Sequence, residues 1–154
     1  MIGTVSRLIF AAVMAASTAT AAHATELDDI ISEGKITIAV PQDFPPFGST
    51  GPDLKPEGYD VDVAKLIADN LEVELELVPV TSANRIPFLQ TGKVDLVISS
   101  MGANPGRAKS IWFAAAYAPF FSGAFAAEGM EISSPADLAG KSVAVTRGAL
   151  EDLE

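Results

Sequence analysis

Apolar positions along this chain switch between two periods, and the switches mark out its elements. Residues 26–33 place Leu27, Ile30 and Ile31 on one side of a short helix that Gly34 stops. Lys35-Ile36-Thr37-Ile38-Ala39-Val40 is a β-rich run bounded by Pro41, which predicts a strand. From Asp60 the pattern changes. Val63, Leu66, Ile67 and Leu71 recur at helical spacing, so that face is expected to pack on a sheet. In residues 73–80 it changes again, with Val73, Leu75 and Leu77 alternating against Glu72, Glu74 and Glu76 as a strand requires. A helix over residues 84–91 closed by Gly92, a buried strand over 94–99, a helical turn at 105–110 and a short strand at 111–113 complete this stretch.

Strands alternating with helices imply βαβ units and a largely parallel sheet, hence an α/β fold. Residues 41–57, with five prolines and two glycines, read as a long irregular loop of the kind that is functional or disordered. Residues 114–127 are alanine and aromatic with almost no charge, which suggests a buried segment crossing between two lobes. Ser134 to Gly140 then reads as a capped short helix, residues 141–146 as a strand, and Gly148 onward as the opening of another helix. A chain that stops just after beginning a second α/β unit is expected to be incomplete.

Residues 1–24 have the organisation of a secretory signal: Arg7, an apolar stretch over 8–22, and Ala22-His23-Ala24 as a cleavage site. Ser17, Thr18 and Thr20 interrupt the run, whereas a membrane span needs about 20 apolar residues. With no cysteine in the chain, a lipid-anchored form is excluded, and the expected product is soluble, exported and periplasmic.

Composition narrows the chemistry. The 154 residues carry 10 basic and 20 acidic groups, and no basic stripe exists to neutralise phosphates, which argues against nucleic acid as a partner. The single histidine, His23, lies in the signal, and there is no cysteine. The mature chain therefore cannot build a Ser-His-Asp or Cys-His apparatus, a histidine zinc site or a disulfide framework, and no metal or cofactor is expected. Catalysis would have to rest on carboxylates, Lys, Arg, Tyr or hydroxyls.

Among the polar residues, Arg107 stands out. It follows the strand end Ser99-Ser100 and a loop holding Gly102 and Asn104, and ligands in open α/β sheets bind beyond the carboxyl ends of strands. A guanidinium there can take a carboxylate through two parallel hydrogen bonds, with Ser99, Ser100 and the Gly102 backbone as further donors. The alternative is a solvated charge on a surface turn. Phe44 and Phe47 can wall an apolar pocket or simply anchor the long loop. Arg85 starts a helix, where a cation opposes the macrodipole, so it either meets an acidic group of a ligand or pairs with one of the many carboxylates. Asp60 and Asp62 read as charges favoured near a helix N-terminus, Asp43 as a solvated acid, and Trp112 as core.

With these residues in view, the chain resembles the family 3 extracellular solute-binding proteins, the amino-acid receptors of bacterial ABC importers. Gly58-Tyr59-Asp60-Val61-Asp62-Val63-Ala64 looks like the family signature. Asn84-Arg85-Ile86-Pro87-Phe88-Leu89-Gln90-Thr91-Gly92-Lys93-Val94-Asp95 is similar to the stretch leading into its ligand-facing strand. Ser99-Ser100-Met101-Gly102-Ala103-Asn104-Pro105-Gly106-Arg107 resembles its ligand loop. The resemblance implies a periplasmic-binding-protein-like clamshell of type II, with lobe 1 at 25–118 and a hinge strand with an incomplete lobe 2 at 119–154. It also implies an exported receptor, a monomer when full length, that hands an amino acid to a membrane permease. Arg107 would hold the α-carboxylate with help from Ser99, Ser100, Gly102 and Asn104, while Phe44 and Phe47 would pack on the side chain. Ser82 and Arg85 match positions that meet the side-chain carboxylate in glutamate and aspartate receptors, which leans toward a polar or acidic ligand. Asn104, Gly102, Trp112 and Ala149 depart from the residues usual in the family. Exported cyclohexadienyl dehydratases resemble the same receptors, and with no histidine available a carboxyl group would be the general acid. A sensor domain of a larger signalling protein is the third reading.

Overall fold

A computed structural model of the chain describes residues 25–119 and 121–153; the signal-like segment 1–24 lies outside them. Strand β1 (Lys35–Pro41) is the centre of a three-stranded parallel sheet, with β5 (Glu74–Val80) on one side and β6 (Leu96–Val97) on the other. Between them the chain forms β2 (Asp43–Phe44), β3 (Gly48–Thr50) and β4 (Pro56–Glu57). These three pair antiparallel as a small separate sheet, so the expected structureless loop at 41–57 is in fact a meander. Its prolines fit because strands of two or three residues leave most backbone groups outside any ladder.

Helix α1 (Glu26–Glu33) starts on Thr25, whose side chain and that of Asp28 satisfy each other's backbone donors in a capping box, and ends on Gly34 in the left-handed region. Helix α2 (Tyr59–Leu71) starts on Gly58, and α3 (Arg85–Gln90) precedes β6. The register of β1 on β5 runs from Lys35 opposite Glu74 to Pro41 opposite Val80. On the other side the Asp95 carboxylate accepts from the Thr37 amide at 2.7 Å, pinning the entry to β6.

The sheet is covered on both faces, which explains why β1 reads as a nearly unbroken apolar run. Ile36, Ile38, Val40 and Ile98 pack against Val61, Ala64 and Ala68 of α2, with Ile30 of α1 at the margin. On the opposite face Ala39, Val80 and Val94 meet Phe88 and Leu89. The helical face of α2 is rotated from the one expected. Val63, Ile67 and Leu71 are partly buried, but Leu66 is 61% exposed and the close contact is made by Val61, Ala64 and Ala68. Small alanines let the helix axis approach the sheet, and that sets which stripe faces inward.

Several expectations for the second half do not hold. Residues 94–99 yield only the two-residue strand β6, whereas the helical turn expected at 105–110 does form, as the 3-10 turn Arg107–Lys109. The strands expected at 111–113 and 141–146 are not formed, and residues 148–153 make turns and bends rather than a helix. Residues 114–127 are exposed where described, apart from half-buried Ala118, instead of buried, and Trp112 is 99% exposed rather than core. A strand exists only where a neighbour takes its N–H and C=O groups, and among the described residues these runs face no partner strand. The capped short helix at 134–140 does form, as a 3-10 turn Pro135–Leu138 with Ser134 and Asp137 in a capping box.

Candidate functional site

All three parallel strands deliver their carboxyl ends to one side of the sheet. β1 leads to Phe44, β5 to Ser82 and Arg85, and β6 to Ser99, Ser100 and Gly102. The chain leaves β1 toward both neighbours in turn, so this edge is the switch point at which open α/β sheets hold ligands. Pro41, Phe44, Ser82, Arg85, Ser99, Ser100, Gly102 and Arg107 line one cleft there.

Arg107 is buried, at 7% exposure, and is not the solvated turn residue of the alternative reading. Its amide donates to the Asn104 side chain at 2.8 Å, so Asn104 shapes the turn that aims the guanidinium. Nη1 of Arg107 donates to the Gly102 carbonyl at 2.7 Å and Nη2 to the Gly148 carbonyl at 2.9 Å. Arg85 is deeper still, at 4% exposure. It donates through Nε to Ser82 O at 3.0 Å, through Nη1 to Ser99 O at 2.7 Å and through Nη2 to the same Gly148 oxygen at 3.1 Å.

Two buried guanidiniums thus converge on one neutral oxygen, and among the described residues neither has a carboxylate within ion-pair distance. Burial, then the like charge of Arg107, lowers the Arg85 guanidinium to about 10. It still carries its charge at neutral pH. Uncompensated buried charge is expensive, and an anion between the two arginines would relieve both desolvation and repulsion. Residues 149–151 close over this point, leaving about 20 Å³ in the cleft, room for little more than one water. A second space of about 190 Å³ opens on the other flank of Gly148 and shares Ser82, Arg85 and Arg107.

Phe44 lines the cleft, and Phe47 stands behind it, stacked at 5.8 Å between ring centroids. The row continues through Tyr59, edge-on to Phe47, to Tyr117, stacked on Tyr59 at 6.1 Å. Phe47 therefore supports the aromatic wall. Asp43 is exposed, as expected of a solvated acid, and Asp62 is exposed beside Lys65.

Asp60 lies in the first turn of α2, as expected of an acid near a helix N-terminus, but it does more than that. It is fully buried, its Oδ1 accepts from the Tyr117 hydroxyl at 2.8 Å, and Oδ2 has no hydrogen-bond partner among the described residues. Burial pushes its carboxyl up, opposed by the Tyr117 hydroxyl, the Ser100 amide and the Arg85 charge. Burial, then the bond to Asp60, raises the Tyr117 phenol as well. The Tyr117 oxygen in turn accepts from the Ser100 amide at 3.3 Å. Ser100 has φ +36, a left-handed conformation costing a non-glycine residue about 1–3 kcal/mol unless its surroundings hold it. Neither Asp60 nor Tyr117 was singled out from sequence as part of the site. The signal for Asp60 was present, since it shares a helical stripe with Ala64, Ala68 and Leu71; Tyr117 lay in a charge-free run that offered none.

An α/β lobe with an anion-seeking cleft at its switch point defines a ligand-binding lobe of the type II periplasmic-binding-protein kind. The profile of bacterial extracellular solute-binding proteins, family 3, matches residues 36–148, and the chain belongs to that family. A glutamine-binding protein of Geobacillus stearothermophilus is 37% identical over 107 residues, 67% of this chain and 41% of that protein. Other relatives are named for L-arginine and glutamate, and the chain spans between 40% and 49% of these three proteins. Among solved structures, an ancestral amino-acid-binding protein described as a precursor of cyclohexadienyl dehydratase superposes with a TM-score of 0.53 at 39% identity, over 55% of this chain and 37% of that one. The arginine-bound form of domain 1 from TmArgBP gives 0.51 at 41% identity, over 53% of this chain and 65% of that one. The curated relatives are binding proteins rather than enzymes.

Proposed function

We propose that the protein is an exported receptor that captures an amino acid in this cleft and delivers it to the permease of an ABC importer. The convergence of Arg85 and Arg107 on one oxygen, with no carboxylate partner among the described residues, carries the reading. In it, the ligand's α-carboxylate takes the place of the Gly148 carbonyl between the two Nη2 donors, where charge-assisted bonds are about twice as strong as neutral ones. Ser99, Ser100 and the Gly102 backbone supply further hydrogen bonds, Ser82 a polar contact, and Phe44, backed by Phe47, an apolar wall for the side chain. Asn104 serves by holding the turn that presents Arg107.

An amino acid does not fit in about 20 Å³, so residues 148–151 must move aside for it to enter. Such movement suits a clamshell, in which ligand closes two lobes around itself and the closed state is what a permease reads. The arginine-bound single domain among the structural neighbours favours the idea that one lobe carries much of the contact set. A polar amino acid is the expected ligand, with glutamate and glutamine first to test. Titration of the full-length protein with all twenty L-amino acids is expected to give micromolar or tighter binding of at least one; no heat and no thermal shift with any of them would refute the receptor reading.

The dehydratase reading has behind it the likeness to a dehydratase precursor and to an ancestral cyclohexadienyl dehydratase. It needs a carboxyl poised to give a proton, and Asp60 is enclosed against Tyr117. Glu151, which does line the cleft, is held below its usual range by the Ser122 hydroxyl, making it a poor acid. No turnover of prephenate is expected.

A further inference from the structure

Of the Asp60–Tyr117–Ser100 relay, Asp60 and Tyr117 stand outside the cleft while Ser100 lines it. Asp60, fully buried at the start of α2, accepts from the Tyr117 hydroxyl at 2.8 Å. The Tyr117 oxygen accepts from the Ser100 amide at 3.3 Å. Tyr117 is fixed from the side as well: its ring stacks on Tyr59, and the Tyr59 hydroxyl donates to the Tyr117 carbonyl at 3.4 Å. Immediately before Ser100, the Ser99 carbonyl is held by Arg85 at 2.7 Å. The Ser99–Ser100 peptide group is therefore held at both its oxygen and its N–H, and Ser100 is the one cleft-lining residue other than glycine in the left-handed backbone region among the described residues. A strained conformation persists only where its surroundings over-determine it. Here the restraint comes from a carboxylate 40 positions away in sequence.

We infer that Asp60 is a positioning residue for the binding cleft, acting through the Tyr117 hydroxyl to lock Ser100 in the backbone conformation that aims the Ser99–Ser100 donors at a ligand. The aromatic row from Phe44 to Tyr117 then has a second use, seating the Tyr117 hydroxyl between Asp60 and Ser100. The inference rests on the cleft being a ligand site, but the relay itself can be tested with no ligand present.

The experiment uses the full-length protein with three variants: Tyr117→Phe, Asp60→Ala and Asp60→Asn. Tyr117→Phe removes only the hydroxyl and keeps the ring on Tyr59, so it is the variant least able to unfold the lobe. In ligand-free protein followed by NMR, Tyr117→Phe and Asp60→Ala are expected to speed hydrogen exchange at the Ser100 amide about ten-fold or more. The Ile38 amide in β1, which reports global opening, serves as the reference. Asp60→Asn keeps an acceptor for the Tyr117 hydroxyl and is expected to undo most of that change. In the same samples, affinity for whichever amino acid the natural protein binds is expected to fall about ten-fold in the first two variants and to recover in Asp60→Asn. Ser100 exchange in Tyr117→Phe that tracks Ile38 without any excess overturns the relay, whatever the ligand titrations give. If the natural protein binds no amino acid, the receptor reading fails and the exchange arm still decides the relay. Faster Ser100 exchange with unchanged affinity overturns the link from relay to ligand.

Discussion

Replacing Gly58 with alanine tests the junction on which both the aromatic wall and the start of α2 depend. Gly58 has φ +130, a region that only glycine reaches without strain of about 1–3 kcal/mol. An added Cβ would also lie 2.5 Å from the Phe47 carbonyl oxygen and 2.8 Å from its carbon, and backbone atoms cannot rotate away. Relief requires the 44–47 turn to move, which loosens the bonds from the Tyr59 amide to Pro46 O at 3.0 Å and from the Asp60 amide to Phe47 O at 2.8 Å. At about 1 kcal/mol for each such bond, the total loss comes to about 3–5 kcal/mol. Gly34 is the matched control. Its φ is +70 but an added Cβ there meets nothing within 4 Å, so Gly34→Ala should lose only about 1–2 kcal/mol of left-handed strain. Equilibrium urea unfolding followed by far-UV circular dichroism, with m checked for constancy, reads both numbers. A Gly58→Ala loss no larger than that of Gly34→Ala would refute the close-approach argument.

Two further outcomes follow from the core and from burial of charge. Ile38 is fully buried in the central strand between α2 and its neighbours, so Ile38→Ala should lower stability by about 2–5 kcal/mol in the same urea assay. Asp60 has its carboxyl raised by burial, so between its unfolded value near 4 and its higher folded value the native state binds more protons than the unfolded one, and stability falls as pH rises through that window. Asp60→Asn removes this slope: measured from pH 4 upward, the natural protein should lose stability relative to the variant, and parallel curves would contradict the assignment.

What the sequence disclosed follows the physics of each segment. β1 was legible because burial on both faces leaves an apolar run, and α1 because Thr25, Asp28 and Gly34 cap it chemically. Arg107, Ser99, Ser100 and Phe44 were legible as a group because loops after parallel strands gather on one side of a sheet. The α2 face was misjudged at Leu66 because hydrophobicity alone ignores how closely Ala64 and Ala68 let the helix approach. Residues 141–146 carry strand propensity without a partner to pair with, and propensity cannot report that. The place of Asp60 at a helix N-terminus was legible, but its bond to Tyr117, which spans 57 positions, was not. Trp112 shows the converse error, an aromatic assigned to the core that stands exposed.

The most direct test of the central proposal compares an amino-acid ligand with its α-carboxamide on the full-length protein and on Arg107→Met, by titration calorimetry. If the two arginines hold an α-carboxylate, the natural protein should bind the carboxamide about a hundred-fold more weakly, equivalent to about 2.7 kcal/mol. In Arg107→Met most of that discrimination should vanish. Equal affinity for acid and amide in the natural protein, or undiminished discrimination in Arg107→Met, would contradict it.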